Sequence, residues 1–491
     1  GAEPAPEASE AAAPEAAAPE EKPAKPGAGP GLRVLEALAA TGIRSIRYAK
    51  ELGPGTRPPE VAIQHIVAND LDETAVAHIR RNLEHNGVPS DVVEPVCDDA
   101  NRHMYMRRAK GPGGQPSQAY DVIDLDPYGS CSPFLDAAVQ SIRDGGLLCI
   151  TSTDMPILGG NNPETCFARY GGSASKAGYL HEMALRLVLH ALATSAARYG
   201  REVQPLVSCS IDFYVRVFVR IRDSPARVKH LASKMAVVHQ CVQCESFFTQ
   251  PLGEAPENEK SLKYKLARVV VPGQKCPECG GGIKLGGPFY AGPLFDLDFV
   301  KSCVEACEDK ARESLPGVTS WKKVEGMLTA ISEEHPDLVL YYRLPQLCRG
   351  LKLPPLPLRQ FRGTLASLGY RASHFHREPE AVKTDAPNAV VYDLMRLWAE
   401  EHPRETPPLP QLLQKEFTLK RPIEWTTEEA TDRRKVARFL PNPEPNWGPK
   451  RAARGGAAAP EAEAPVAPDT AAPAGAALDG VAATPAAEPS A

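Results

Sequence analysis

Asp126, Pro127, Tyr128 and Gly129 follow directly on the apolar run Tyr120-Asp-Val-Ile-Asp-Leu125. A carboxylate, a proline-fixed carbonyl and an aromatic ring that leave a strand together can grip a flat amine and turn its lone pair toward a methyl donor. An exocyclic amine on a nucleobase is a poor nucleophile because its lone pair is delocalised into the ring. A site that alkylates it must orient the nitrogen and receive its proton. Asp126 can accept a hydrogen bond from the N–H and take the proton as general base, while Tyr128 offers a face for stacking the base. Pro127 fixes φ at about −65° and lacks an N–H, so the turn is stiff. The same four residues also make a good surface β-turn; the segments upstream decide between the two readings.

Those segments are three strand-then-polar-turn units at the spacing of consecutive βα elements. Leu32-Arg-Val-Leu-Glu-Ala-Leu-Ala-Ala-Thr-Gly42 ends in small residues that let a cofactor approach backbone, and a helix carrying Ile43, Ile46 and Tyr48 follows. Gln64-His-Ile-Val-Ala-Asn-Asp70 leads into a helix whose apolar positions Val76, Ile79 and Leu83 recur at helical spacing, ending at Asn86-Gly87. Val92-Val-Glu-Pro-Val-Cys97 runs into Asp98-Asp99-Ala100. An acidic residue closing the second strand of a doubly wound sheet, here Asp70, is placed to bind ribose hydroxyls. At the third turn, Asp99 and the N–H of Ala100 could read an adenine edge. Open α/β sheets bind ligands outside the carboxyl ends of their strands, so all four turns converge on one crevice.

Each piece has a plainer alternative. Gly42 lacks the neighbouring glycines of a G-x-G-x-x-G fingerprint, which argues against a nicotinamide dinucleotide. Asp70 is equally suited to capping the next helix. Arg44 and Arg47 lie three apart on one helix and are by default solvated.

In order and spacing together, the match becomes specific. Leu38-Ala-Ala-Thr-Gly-Ile-Arg-Ser-Ile-Arg47, Ala68-Asn-Asp70, Asp99-Ala-Asn101, Asp124-Leu-Asp-Pro-Tyr-Gly-Ser130 and Gly146-Leu-Leu-Cys-Ile-Thr-Ser-Thr-Asp154 closely resemble the tRNA (guanine-26) dimethyltransferase family. So do Glu164-Thr-Cys166, Arg169-Tyr-Gly171, His181-Glu-Met-Ala-Leu-Arg186 and Asp212-Phe-Tyr-Val-Arg-Val-Phe-Val219, and the likeness runs from about Leu32 to about Trp398. It implies a Rossmann-like class I methyltransferase domain that uses S-adenosylmethionine to add two methyl groups to the exocyclic amine of guanine 26 of tRNA. By the same resemblance Arg44, Asp70, Asp99 and Ala100 match cofactor contacts, and Asp126 matches the catalytic acid/base beside Tyr128.

One departure matters. Members of the family carry, before the first strand, a Phe-x-Asn-Pro motif and an Asn-Arg-Asp triplet that bring an aromatic and an arginine to the site. Residues 1–30 are instead Ala, Pro and Glu repeats. The expectation is an incomplete gene model or a relative of weakened activity.

Composition sets the outer bounds. A length of 491 residues suggests about three domains, but the prolines and alanines gather toward the tails, 1–30 and 455–491, which read as disordered. Those tails carry net charges of −4 and −5 against −5 for the whole chain, which leaves the body at +4. A mildly basic body fits a polyanionic partner. No run of 18 apolar residues appears, so nothing in the sequence spans a membrane. The Glu-rich, Arg-free start is unlike a transit or signal peptide. The expected location is the nucleus or cytosol, with an organelle still open if the start is truncated. No obligate protein partner is inferred.

Twelve cysteines would otherwise invite a disulfide framework. Four of them form Cys241-Val-Gln-Cys244 and Cys276-Pro-Glu-Cys279-Gly-Gly, paired CxxC knuckles separated by 31 residues. Each knuckle holds two thiolates at a tetrahedral edge, and the glycines after Cys279 let backbone N–H groups turn toward sulfur. A structural zinc (Zn2+) site with four cysteine ligands is expected, with a redox dithiol as the alternative. Cys149 and Cys209, in apolar runs, read as core.

The domain division that follows is a methyltransferase domain at 31–225, a smaller α+β tRNA-binding domain with the knuckles at 226–420, and a basic, aromatic extension at 421–454. A helix from about Lys176 to Ser195 reads as core packing. Phe213, Val215, Val217, Val219 and Ile221 alternate with Arg216 and Arg220 on a less buried strand face, where both arginines read as solvated rather than phosphate-binding. Leu344–Leu351 and Leu358–Leu368 read as helices, with a strand after Gly369. Lys383 and His374 are candidates for phosphate or target-loop contact, and Arg433-Arg-Lys435, Arg438, Trp447 and Lys450–Arg454 suit RNA backbone and stacking. Two other functions compete: a methyltransferase for another nucleic-acid amine, and a zinc-bearing tRNA-binding protein with a weakened catalytic site.

Overall fold

Seven strands from the first half of the chain form one sheet in the order β3-β2-β1-β4-β5-β7-β6. The computed structural model describes residues 31–58, 61–108, 118–255, 264–270, 272–307, 318, 320–403, 411–419, 422–427 and 436–441. Both proposed tails lie outside those residues, as do Arg433–Lys435, Trp447 and Lys450–Arg454. β1 (Leu32–Glu36) is central because it is apolar on both faces, with Val34 and Leu35 buried. It pairs in parallel with β2 (Ile63–Asp70) on one side and β4 (Tyr120–Leu125) on the other. β3 (Val93–Cys97) extends the sheet beyond β2, and β5 (Ile142–Ser152) lies beyond β4. β7 (Tyr214–Asp223) then runs antiparallel between β5 and β6 (Arg201–Ile211). The order reverses at β1/β4, so those strand ends face the crevice of a doubly wound α/β fold.

Crossover helices fit their sequence patterns. α1 (Ile43–Leu52) buries Ile46, and α2 (Glu73–His85) buries Val76, Ile79 and Leu83 and closes at Asn86, ahead of Gly87 at φ +62°. α3 (Ala100–Tyr105), α4 (Leu135–Ser141), α5 (Met155–Leu158) and α6 (Pro163–Tyr170) follow, then α7 (Leu180–Ala197), buried nearly all round because it is packed against β6 on one side and the strand Ile283–Tyr290 on another. α7 begins at Leu180, with its apolar stripe, later than the expected start at about Lys176. Gly178 sits so close to the next region that a Cβ there would lie 2.9 Å from Gln346 Oε1. In β7, Val215, Val217, Val219 and Ile221 are buried as alternation demands, while Phe213 falls in the preceding turn and is 47% exposed.

Beyond β7, the strands Met235–Cys241, Phe247–Pro251 and Ile283–Tyr290 form a three-stranded antiparallel sheet that carries the knuckles. A second small sheet joins Tyr342–Arg343, Glu378–Thr384 and Ala372–Phe375, covered by the helices Leu344–Gly350, Leu358–Ser367 and Asn388–Glu401 over a core of Tyr342, Leu347, Phe361 and Trp398. Among the described residues no helix is long and apolar enough to cross a membrane.

Where the two regions meet, the sequence expectation for Lys383 and His374 fails. Lys383 is 1% exposed, with Nζ 3.3 Å from Glu182 and 3.2 Å from Glu334. Glu182 also takes Arg186 and the N–H of Leu340, and Glu334 takes His376 Nδ1 at 2.8 Å. The N–H of Ser210 donates to His376 Nε2, so that nitrogen is bare and Nδ1 carries the ring proton. His374 is likewise buried, with Nε2 2.9 Å from the carbonyl of Ala330. Neither side chain reaches solvent, because a buried charge must be paired and these acids stand ready to pair with it.

Candidate active site and metal centre

The crevice is assembled by ties between strand ends. Asn69, at the end of β2, donates from Nδ2 to the carbonyls of Ala37 and Asp98, and its own carbonyl takes the N–H of Ala39 at 2.7 Å. One side chain thereby sets the β1, β2 and β3 loops together. Its Oδ1 is buried without a protein partner. Gly42 closes the β1 loop at φ +72°, where a Cβ would lie 3.0 Å from Ile79, so only glycine fits without strain.

Asp70 does not cap α2; Asp72 does, accepting from Thr74 N. Asp70 instead takes the N–H of Ala40 at 2.8 Å and that of Asp72 at 3.1 Å, which leaves each oxygen a further lone pair. Asp99 is exposed and caps α3 through Arg102 N, with Ala100 buried behind it. Glu36 is a site residue that the sequence reading misses, though an acidic residue closing an apolar strand is the available signal. It is 4% exposed and accepts both the N–H and the hydroxyl of Ser45, satisfying an orphan donor in the first turn of α1. Burial pushes its carboxyl up to about 7, against the opposing pull of Ser45 and Arg44.

At the mouth of the crevice, Arg44 bridges two carboxylates: Nη1 lies 3.1 Å from Asp124, and Nη2 binds Asp126. Burial alone would lower the Arg44 pKa, but Asp124 and Asp126 more than offset it and raise it. Arg47, as expected, is the solvated one, paired with Glu51. Asp126 keeps 31% of its side chain exposed, and Tyr128 is fully exposed with its ring free on both sides. Gly129, at φ +84°, exchanges hydrogen bonds of 2.8 Å with Thr153 after β5. Behind the turn, the buried Tyr170 hydroxyl meets Ser130 at 2.7 Å, Ser152 at 2.9 Å and Asp154 at 2.7 Å. The turn is therefore bolted to β5 and α6, a stiffness that Pro127 by itself only hints at.

Arg216 contradicts its sequence reading. Rather than facing solvent it is 16% exposed, with Nη2 3.0 Å from Asp124. Arg220, further along the same strand face, is half-buried and lacks that partner because the strand carries it past the crevice.

The four knuckle thiols lie within 4.8 Å of one another. Cys241 and Cys279 sulfurs are 3.4 Å apart, and those of Cys244 and Cys276 3.6 Å. Tetrahedral zinc with bonds of about 2.3 Å needs edges of roughly 3.8 Å, so the donor set fits. Gln243 N–H points to Cys241 Sγ and Gly281 N–H to Cys279 Sγ, both at 3.4 Å, the outer hydrogen bonds that thiolates require. All twelve cysteines are free of disulfides, and Cys149 and Cys209 are buried core residues.

With this geometry in place, the comparisons with known proteins are decisive. The model of the family described as TRM, N2,N2-dimethylguanosine tRNA methyltransferase, matches residues 9–396. The chain belongs to this family. A tRNA (guanine(26)-N(2))-dimethyltransferase of Drosophila melanogaster is 40% identical over 85% of this chain and 72% of its own length. The Mus musculus protein of the same name is 44% identical over 88% of this chain, which spans 64% of that relative. Among solved structures, Trm1 from Pyrococcus horikoshii in complex with S-adenosyl-L-methionine is similar at a TM-score of 0.58 and 26% identity, over 73% of this chain and 87% of that one.

Proposed function

We infer that this chain transfers methyl groups from S-adenosylmethionine to the exocyclic amine of guanine at position 26 of tRNA, giving N2,N2-dimethylguanosine. The observation that carries the reading is a part-exposed Asp126 carboxylate, held by Arg44, beside a bare Tyr128 ring. When bound, S-adenosylmethionine supplies an electrophilic methyl group on a sulfonium. The residues that would hold it are Asp70, through lone pairs left for ribose hydroxyls; Asp99 and Ala100, at the adenine edge; and Arg44, through the N–H donors that Asp124 and Asp126 leave over. The partnerless Asn69 Oδ1 and the small residues of the β1 loop support that fit.

Tyr128 stacks the extruded base, a contact worth about 1–3 kcal/mol per base, and extrusion itself costs a few kcal/mol. Asp126 accepts a hydrogen bond from the amine and takes its proton as the methyl arrives. The remaining barrier is lowered mainly by position, which the Gly129–Thr153 clamp and the Tyr170 cluster preserve. Cys241, Cys244, Cys276 and Cys279 would hold a structural Zn2+ whose four protein ligands leave no open coordination site. We place catalysis in 31–225 and tRNA grip in 226–420, and the free thiols support a reducing compartment, nucleus or cytosol.

The test is incubation with labelled donor and tRNA carrying guanine or adenine at position 26, with duplex DNA alongside, followed by nucleoside mass spectrometry. N2,N2-dimethylguanosine in the guanine tRNA alone is the expected product. Methyladenine, or label in DNA, would contradict the substrate assignment.

A further inference from the structure

We propose that Arg216 is a positioning residue for this reaction: by filling the inner side of Asp124 it keeps Arg44 turned outward to hold the Asp126 carboxylate. Asp124 lies within β4 and Asp126 just past its last residue, and Arg44 reaches both. The guanidinium of Arg44 is divided between them, one nitrogen to each. A planar fork ordinarily prefers both nitrogens on a single carboxylate, so the division needs a cause.

The cause is the crowding of Asp124. Its side chain is fully buried; Oδ2 meets Tyr48 Oη at 3.0 Å, Arg44 Nη1 at 3.1 Å and Arg216 Nη2 at 3.0 Å, while Oδ1 is covered by the same Arg216 nitrogen at 3.2 Å. Three partners already exceed the two lone pairs of Oδ2, and Arg216 stands on the other oxygen, so Arg44 reaches only one oxygen of Asp124. Its second nitrogen binds Asp126 instead. Arg216 in turn cannot drift, because Nη1 donates to Thr151 Oγ1 at 2.6 Å, from the residue that faces it across the β5–β7 pair, and its guanidinium rests against Phe218.

The result is an alternating row, Arg216⁺, Asp124⁻, Arg44⁺, Asp126⁻, running from the interior to the mouth of the crevice. The other titratable groups facing it are Glu36 from β1, Tyr48 from α1, Cys149 from β5, Cys209 from β6 and Tyr214 from β7. The cation in contact with Asp126 is Arg44. Remove Arg216, and Asp124 has room for both nitrogens of Arg44. Asp126 then loses its cation and swings out of line.

The proposal rests on the reading of Asp126 as the base, and the experiment separates the two. In the full chain, Arg216→Met, Arg216→Lys and Thr151→Val are compared with wild type for single-turnover methyl transfer, with tRNA affinity measured in parallel and Asp126→Asn as the reference for a lost base. Arg216→Met should slow transfer about 10- to 100-fold with tRNA affinity near wild type. Arg216→Lys should restore most of the rate, and Thr151→Val should slow it only slightly. If Arg216→Met does not fold, the other two variants decide by the same split between rate and affinity. An unslowed Arg216→Met with an inactive Asp126→Asn would overturn the proposal alone. Equal rate losses in the Met and Lys variants would do so as well, by reducing Arg216 to a packing residue. Retained turnover in Asp126→Asn would overturn the base reading and the proposal with it.

Discussion

Two clusters of charge, one at the crevice and one at the junction of the two regions, differ in what they leave over. At the junction, Lys383 lies between Glu182 and Glu334, His376 donates a hydrogen bond from Nδ1 to Glu334, and every one of these side chains is buried. At the crevice, the row ends on Asp126 with 31% of its side chain exposed. Both clusters contain conspicuous motif residues. Only the second retains an unspent acceptor where a substrate can arrive, and that surplus, rather than charge density, marks the reactive end.

The sharpest way to break the comparison is at the junction. Removing one partner of a buried ion pair costs about 3–5 kcal/mol, so Lys383→Met should lower stability on that scale in denaturant unfolding. A loss of RNA affinity with unchanged stability would instead return Lys383 to the surface role its sequence suggests. The same cluster fixes a pH dependence. Burial raises the Glu334 carboxyl, but Lys383 and His376 more than reverse this and bring it down to about 2, below its usual 4.5. A depressed carboxylate stabilises the fold above the unfolded value and loses that contribution as pH falls. Wild-type stability should therefore decline between pH values of about 4.5 and 2, and Lys383→Met should flatten that limb in a pH series of unfolding curves.

Stripping metal with a chelator comes next. Hydrogen exchange should accelerate across the sheet that includes Met235–Cys241 and Ile283–Tyr290, and RNA affinity should fall, while amides of β1 to β4 and donor binding stay as they were. Uniform protection before and after would remove the metal from the fold. A smaller effect is expected at Tyr128. Tyr128→Ala should weaken productive tRNA binding by about 1–3 kcal/mol, the worth of one stacked base, with Tyr128→Phe near wild type and neither moving the melting temperature, because the ring buries nothing. The smallest expected effect is at Glu36. Its carboxyl is raised to about 7 by burial, so it favours the fold most at low pH and less as pH rises through that value. Glu36→Gln should remove this slope.

Periodicity and turn chemistry make most of the large sheet legible: Val76, Ile79 and Leu83 on α2, the alternation through β7, and the strand-closing acids Asp70 and Asp126 all sit where pattern puts them. The knuckle spacing likewise specifies its own geometry. What stays hidden is pairing across elements. Arg216 looks like any outward residue of an alternating strand until β4, β5 and α1 bring Asp124, Thr151 and Arg44 to it. Lys383 looks like an RNA contact until α7 supplies Glu182. Asn69 and Glu36 escape notice for the same reason, since their partners are the loops of neighbouring strands and the next helix. Arg438, which reads as part of a basic RNA-facing run, is held by Glu333 through two contacts of 2.6 Å.

The central claim is that one carboxylate at the end of β4 receives the proton of the amine being methylated. Single-turnover methyl transfer to guanine-26 tRNA by Asp126→Asn, with tRNA and donor affinities measured in parallel, tests it most directly. The account requires tRNA binding close to wild type, measurable donor binding, and transfer reduced to the limit of detection. Transfer at an appreciable fraction of the wild-type rate would contradict it.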